Sequence, residues 1–183
     1  NLGNIEYGYY IHTMSLPRLF NTNINTIPNK TPYIKPNPEL IKKFSELMAS
    51  EKLKVGIVWQ GNKEQENDIN RSTTFENFKV LEQIPEIQLF SLQLNNEVNL
   101  ENTKIIDMSK YINDFSDTAA IIENLDLLIS VDTSVAHLSG AINKPTWVLL
   151  SKKADWRWLT NRKDSPWYPK MKLFRQEKLG DWN

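Results

Sequence analysis

The stretch Leu127–Leu150, LLISVDTSVAHLSGAINKPTWVLL, constrains this chain most. An apolar run ends in Asp132-Thr133-Ser134, an amphipathic segment follows to Ile142, and Asn143-Lys144-Pro145 breaks it before a second apolar run. That order predicts strand, tight turn, helix, short loop, strand. Two strands joined through one helix form a parallel pair with a right-handed crossover. Parallel sheets are covered on both faces, so the chain must supply further strands and helices.

It supplies them at regular intervals. Strands are expected at Lys54–Trp59, Ile87–Leu92, Lys104–Asp107, Leu127–Val131, Thr146–Leu150 and Lys170–Gln176. Helices are expected at Pro38–Ala49, capped by Asn37, and at Asp114–Asn124, with Phe115, Ala119 and Ile122 on one side. Thr73-x-x-Glu76 has the spacing of a capping box opening a helix to about Gln83. Asn1–Lys35 shows no clear period, and Pro28, Pro32, Pro36 and Pro38 favour an extended path. Residues 1–36 are therefore expected to be a linker or the remnant of a preceding domain, and 37–183 an α/β domain. The chain starts at Asn1 and ends in Gly180-Asp181-Trp182-Asn183 with no closing element, so a fragment of a longer polypeptide is expected.

Composition removes several function classes. Lys+Arg and Asp+Glu both number 22, and a duplex-binding protein usually carries a basic excess, so nucleic acid is not an expected partner. With no cysteine and only His12 and His137, no metal site is expected, because zinc needs three or four ligands. No apolar run has transmembrane length and no signal peptide is visible, so a cytoplasmic location is expected.

In parallel α/β sheets, ligands bind beyond the carboxyl ends of the strands. Those ends carry Gly61 and Asn62, then Gln93, then Asp107 and Met108, then Asp132, Thr133 and Ser134. A helix N-terminus offers free N–H groups and a partial positive charge, which favour a phosphate. Thr133 is expected as the N-cap, with the N–H groups of Ser134, Val135 and Ala136 presented and His137 one turn on. Arg71 and Ser72, late in the first loop, are candidates to clamp a diphosphate. Trp167 and Tyr168 are candidates to stack on a sugar or base.

Each feature also has a plainer account. Thr133 caps a helix as threonines commonly do, His137 is a surface histidine, and Arg71 lies in a solvated loop. Trp156 and Trp158 pack a loop, and Asp114/Asp117 are helix-start charges. The loop after the first strand reads WQGNKEQ, without the G-x-G-x-x-G of a dinucleotide fold, and no P-loop motif exists.

Several segments together carry a resemblance. They are DLLISVDTSVAHLSGAINKPTWVLL, DWRWLTNRKDSPWYPKMKLFRQ and GDW, with SLP at Ser15–Pro17, Pro32-Tyr33, GIVWQGN at Gly56–Asn62, Arg71-Ser72 and Ser91–Gln93. The chain resembles the carboxyl-terminal, donor-binding domain of bacterial tetratricopeptide-repeat glycosyltransferase-like proteins. These are similar to lipopolysaccharide heptosyltransferases of glycosyltransferase family nine. The resemblance implies a Rossmann-like parallel sheet flanked by helices, one half of a GT-B architecture. It further implies a nucleotide-diphosphate-sugar donor, with phosphates at Thr133–His137 and near Arg71 and Ser72. Asp132, Gly61, Asn62, Gln93, Asp107 and Met108 would then approach the donor sugar or nucleoside. Ser134 stands where heptosyltransferases usually have Gly. The general base and the hydroxyl acceptor, a glycan or protein, would belong to a domain absent here, and no cofactor is implied beyond the donor itself. Two other readings stay open: a non-catalytic nucleotide, glycan or scaffold module, and a nucleotide-sugar epimerase.

Overall fold

The computed structural model describes residues 7–95 and 98–182. Its strands are β1 (Leu53–Val58), β2 (Ile87–Ser91), β3 (Ile106–Asp107), β4 (Leu127–Val131), β5 (Thr146–Leu150) and β6 (Met171–Arg175). They form a six-stranded sheet in the order β3-β2-β1-β4-β5-β6, and every neighbouring pair is parallel. The chain lays down β1, β2 and β3 outward in one direction. It then returns to pair β4 with β1 and proceeds outward the other way. The order therefore reverses between β1 and β4, and in this architecture that is where a crevice opens.

The helices are α1 (Leu16–Leu19), α2 (Pro38–Leu47), α3 (Asp68–Arg71), α4 (Glu76–Lys79), α5 (Phe115–Glu123) and α6 (Ser134–Ile142). Short 3-10 turns cover Thr13–Ser15, Val80–Gln83, Ser109–Tyr111 and Trp156–Trp158. Asn37 caps α2 as expected, its side chain accepting from the Glu39 N–H at 2.8 Å. The α6 helix ends where Asn143 adopts φ 69°, a left-handed conformation that asparagine tolerates.

Both faces of the sheet are covered. On one, Phe44 and Met48 near the end of α2, Ala120–Ile122 of α5 and Val135 and Leu138 of α6 pack with Phe90 and Leu128. On the other, Phe75 and Phe78 join Val55, Ile57, Trp59 and Leu89. A third cluster, Ala136, Val148, Leu150, Trp158, Met171 and Leu173, fills the space behind α6.

Two expectations, the Thr73 capping box and the placing of Phe115 with the buried side of its helix, need correction. Thr73-x-x-Glu76 forms no capping box. The Thr73 N–H donates to the Trp59 carbonyl at 2.8 Å, which holds Thr73 against the end of β1, and its hydroxyl accepts from Asn77 Nδ2 at 2.6 Å. The expected helix splits into α4 and the following 3-10 turn. Phe115 does not face inward and is 60% exposed, whereas Asp117–Ile122 are buried between the sheet and neighbouring helices. Residues 7–36 include a turn of helix, α1, with Pro17 in its first turn. None of the described residues there is fully buried.

Candidate functional site

The strand-order reversal carries a cavity of about 740 Å³. One wall is the loop leaving β1, residues 60–65 with Arg71, and another is the end of β2 with Gln93. The third is the start of α6, Thr133, Ser134 and Val135. Gly61, Asn62, Arg71, Gln93, Thr133, Ser134 and Val135, picked from separate parts of the sequence, thus line one space.

The loop after β1 is held by a compact polar group. Asp68, 6% exposed, accepts from Arg71 Nε at 3.0 Å and from the Ser72 hydroxyl at 2.9 Å. Ser72 in turn accepts from the Gly61 N–H at 2.9 Å. Arg71 Nη1 donates to the Asp132 carbonyl at 2.9 Å and ties this loop to the turn after β4. Asp68 escaped the sequence reading. Its signal was the D-x-x-R-S spacing, which sets Arg71 and Ser72 one helical turn beyond it on the same side.

Gln93 lines the cavity and also has a structural role. Its Oε1 accepts from the Trp59 and Gln60 N–H groups at 3.1 and 2.9 Å. Its Nε2 donates to the Gln60 and Leu94 carbonyls at 3.1 and 3.0 Å. The amide therefore fastens the end of β1 to the end of β2 and forms part of the cavity wall.

The start of α6 has Thr133 at the N-cap position, but no side chain caps it. The Thr133 hydroxyl instead pairs with Ser130 Oγ at 3.0 Å. The first-turn N–H groups of Ser134, Val135 and Ala136 keep their outward dipole without a protein acceptor from a capping side chain. Ser134 is exposed, whereas the Ala136 side chain is fully buried in the cluster behind α6.

His137 is not among the residues that line the cavity. Its ring stacks on buried Trp158 at 4.9 Å and 18°. Nδ1 lies 3.1 Å from the Tyr168 hydroxyl, and Nε2 lies 3.9 Å from Asp132 Oδ1, beyond hydrogen-bond length. Burial pushes its pKa below the ordinary histidine value; Asp132 opposes this and Arg157 adds to it. Burial pushes the Tyr168 phenol above its ordinary range, and the neighbouring Tyr33 phenol acts the same way.

The remaining candidates fall away from this cavity. Met108 is completely buried in the core, and its N–H donates to the Ser91 carbonyl at 2.9 Å. Met108 follows β3 at the start of the Ser109–Tyr111 turn, and its side chain is enclosed by the core away from the cavity. Asp107 ends edge strand β3 and accepts from the Ser109 N–H at 2.9 Å. Two strand spacings, roughly 10 Å, separate β3 from β1. Trp167 Nε1 donates to the Arg157 carbonyl at 2.9 Å, and Tyr168 sits behind α6 on His137. Trp167 thus ties the tail to itself, and Tyr168 seats it on α6. Trp156 stays 57% exposed under the Arg157 guanidinium.

The geometry defines a Rossmann-like α/β fold with a crevice at its switch point. Solved structures with this fold include E. coli ADP-heptose LPS heptosyltransferase II, at TM-score 0.58 and 12% identity over 80% of this chain and 46% of that one. They also include the glycosyl transferase family 9 protein from Veillonella parvula, at TM-score 0.59 and 13% identity over 89% of this chain and 48% of that one. Protein FlbA from Caulobacter vibrioides is 25% identical over 171 residues, covering 85% of this chain and 28% of FlbA. The chain thus spans just under half of the two solved structures and little more than a quarter of FlbA. No protein-family profile matches it. Among the described residues no helix is long and apolar enough to cross a membrane, and no cluster of metal-ligating side chains occurs.

Proposed function

We propose that this chain is the donor-binding half of a glycosyltransferase and holds the diphosphate of a nucleotide-diphosphate sugar at the start of α6. The observation that carries the reading is the helix start without a side-chain cap, which opens into the switch-point cavity beside Arg71. The N–H groups of Ser134, Val135 and Ala136 would hold phosphate oxygens, with the Arg71 guanidinium adding positive charge. Thr133 and Ser72 shape this pocket through Ser130 and Gly61. Asp132 and His137 would border the donor sugar, and Gly61 and Asn62 the nucleoside side.

As the glycosidic bond to the leaving phosphate breaks, negative charge grows on the diphosphate. Fixed dipoles at a helix start stabilise that charge without having to reorganise. This chemistry asks for no bound metal. The acceptor hydroxyl must lose a proton, and the base for that step would come from a second domain. The 183 residues by themselves are then at most weakly active. The likeness to heptosyltransferases, one named for ADP-heptose, supports a nucleoside-diphosphate donor.

A second reading is a module that binds a nucleotide or glycan without transferring it. It is favoured by Arg71, which is already engaged by Asp68 and by the Asp132 carbonyl. Calorimetry with ADP, UDP, GDP and CDP tests the shared site. A ligand at a hundredfold over its Kd would stabilise the fold by about 2.7 kcal/mol. No binding with any of them sinks the donor reading and the nucleotide form of the second, and leaves a glycan-binding module. Product analysis on a longer polypeptide containing the acceptor side then separates transfer from binding alone.

A further inference from the structure

The cluster behind α6 has a geometry that packing alone does not require. The imidazole of His137 is clamped on one face by Trp158, and the Tyr168 hydroxyl meets Nδ1 edge-on at 3.1 Å. The Tyr168 ring lies directly against Gly140, where an added Cβ would come within 2.5 Å of its Cγ. Only a glycine one turn below His137 lets the phenol come this close.

We infer that Tyr168 is a positioning residue that fixes His137 as its neutral Nε2–H tautomer and aims that N–H at the Asp132 turn. Three observations converge. A carboxylate, Asp132, faces Nε2 at 3.9 Å and favours a proton on that nitrogen. Nδ1 then accepts, and the Tyr168 hydroxyl donates to it. The Tyr168 ring is held in place against Gly140, so its hydroxyl is set at Nδ1. The charged groups that act on the imidazole are Asp132, Asp155 and Arg157, of mixed sign, and burial favours its neutral form.

The consequence is a histidine that presents one fixed donor beside the α6 start and carries no net charge. The segment before α2 packs on the end of α6, where the Tyr33 and Ile34 N–H groups both reach the Ala141 carbonyl, at 3.0 and 3.4 Å. The inference rests on the proposed donor site only for what the Nε2–H would meet, namely an oxygen of the bound diphosphate sugar.

The chain has two histidines, so ¹⁵N-histidine labelling gives a spectrum in which removing His12 assigns His137. A long-range proton–nitrogen correlation at pH 8 should show His137 with a protonated Nε2 and an unprotonated Nδ1. Tyr168→Phe should shift the Nδ1 resonance and move His137 toward a mixture of tautomers, with His12 unchanged. A protonated Nδ1 in the unsubstituted chain overturns the inference, and that result needs no variant to fold. A Tyr168→Phe spectrum identical to the parent's overturns it equally. In calorimetry the same variant should weaken binding of the nucleoside diphosphate that the parent chain binds by about tenfold, the worth of one hydrogen bond. If the parent binds no nucleotide while the tautomer result holds, the donor reading falls and the positioning role stands.

Discussion

Helices α5 and α6 begin with similar residues and end up chemically opposite. At α5, Asp114 accepts from the Ser116 and Asp117 N–H groups at 2.7 and 3.1 Å. Asp117 accepts from the backbone and side-chain nitrogens of Asn113, both at 2.9 Å. That start is closed on itself. At α6 the acidic residue, Asp132, falls one position before the N-cap. Thr133 turns to Ser130, and no side chain caps the helix. A one-residue shift of a carboxylate thus separates a finished helix end from one that an external anion can complete.

The sharpest way to break this contrast is to close α6. Ser134→Asp puts a carboxylate where the diphosphate would lie. Calorimetry should show nucleoside diphosphate affinity falling at least about a hundredfold, roughly 2.7 kcal/mol. An unchanged Kd would mean that the open start is not the anion site.

The next effect is on α5. Asp117 is buried, and Asp117→Ala leaves two donors of Asn113 without their partner. Urea denaturation should register about 1–3 kcal/mol of lost stability, with nucleotide affinity preserved. The Asn113 N–H holds the Asp117 carboxyl below its ordinary range. A carboxyl whose folded pKa is depressed adds stability above its unfolded pKa and loses it as pH falls through the folded one. Denaturation curves of the parent and Asp117→Ala should therefore converge in acid, and a constant gap would refute the assignment.

Smaller again is Asp114→Ala, which removes a cap and should lower stability by about 1 kcal/mol. The smallest effect runs the other way. Ser134→Asp should raise stability by about 0.3–1 kcal/mol, because the new carboxylate complements the α6 dipole. A gain in melting temperature alongside the loss of nucleotide would establish that the two helix starts differ only in what completes them.

The central βαβ unit was fully legible. Leu127–Val131, Ser134–Ile142 and Thr146–Leu150 emerge where their apolar periods place them, because each is bounded by residues that cannot continue it. Other boundaries moved for tertiary reasons. Trp59 leaves β1 because its N–H goes to Gln93, 34 positions away, and Thr73 cannot box with Glu76 because Trp59 holds its backbone. No local pattern encodes either bond.

The candidate site divides similarly. Gly61, Asn62, Arg71, Thr133, Ser134 and Val135 were reachable through the rule that strand ends form the binding edge. That rule weighs a strand end by residue type and is blind to burial, so it included Met108, which is enclosed by the core. It is also blind to distance across the sheet, so it included Asp107 on the far edge strand. The aromatic tail gave the least. Whether Trp158 or Trp156 is buried depends on which one meets His137, a contact made across 21 residues.

Gln93 has a consequence beyond its four hydrogen bonds. Its amide stands in for a missing backbone rung, so β1 and β2 are welded together before the loop after β1 begins. The join between these strands is thus set by a side chain from β2's end and does not depend on the loop from Gly61 onward. In the proposed donor-binding role, that loop would adjust the ligand preferred, while the start of α6 stays where the strands put it.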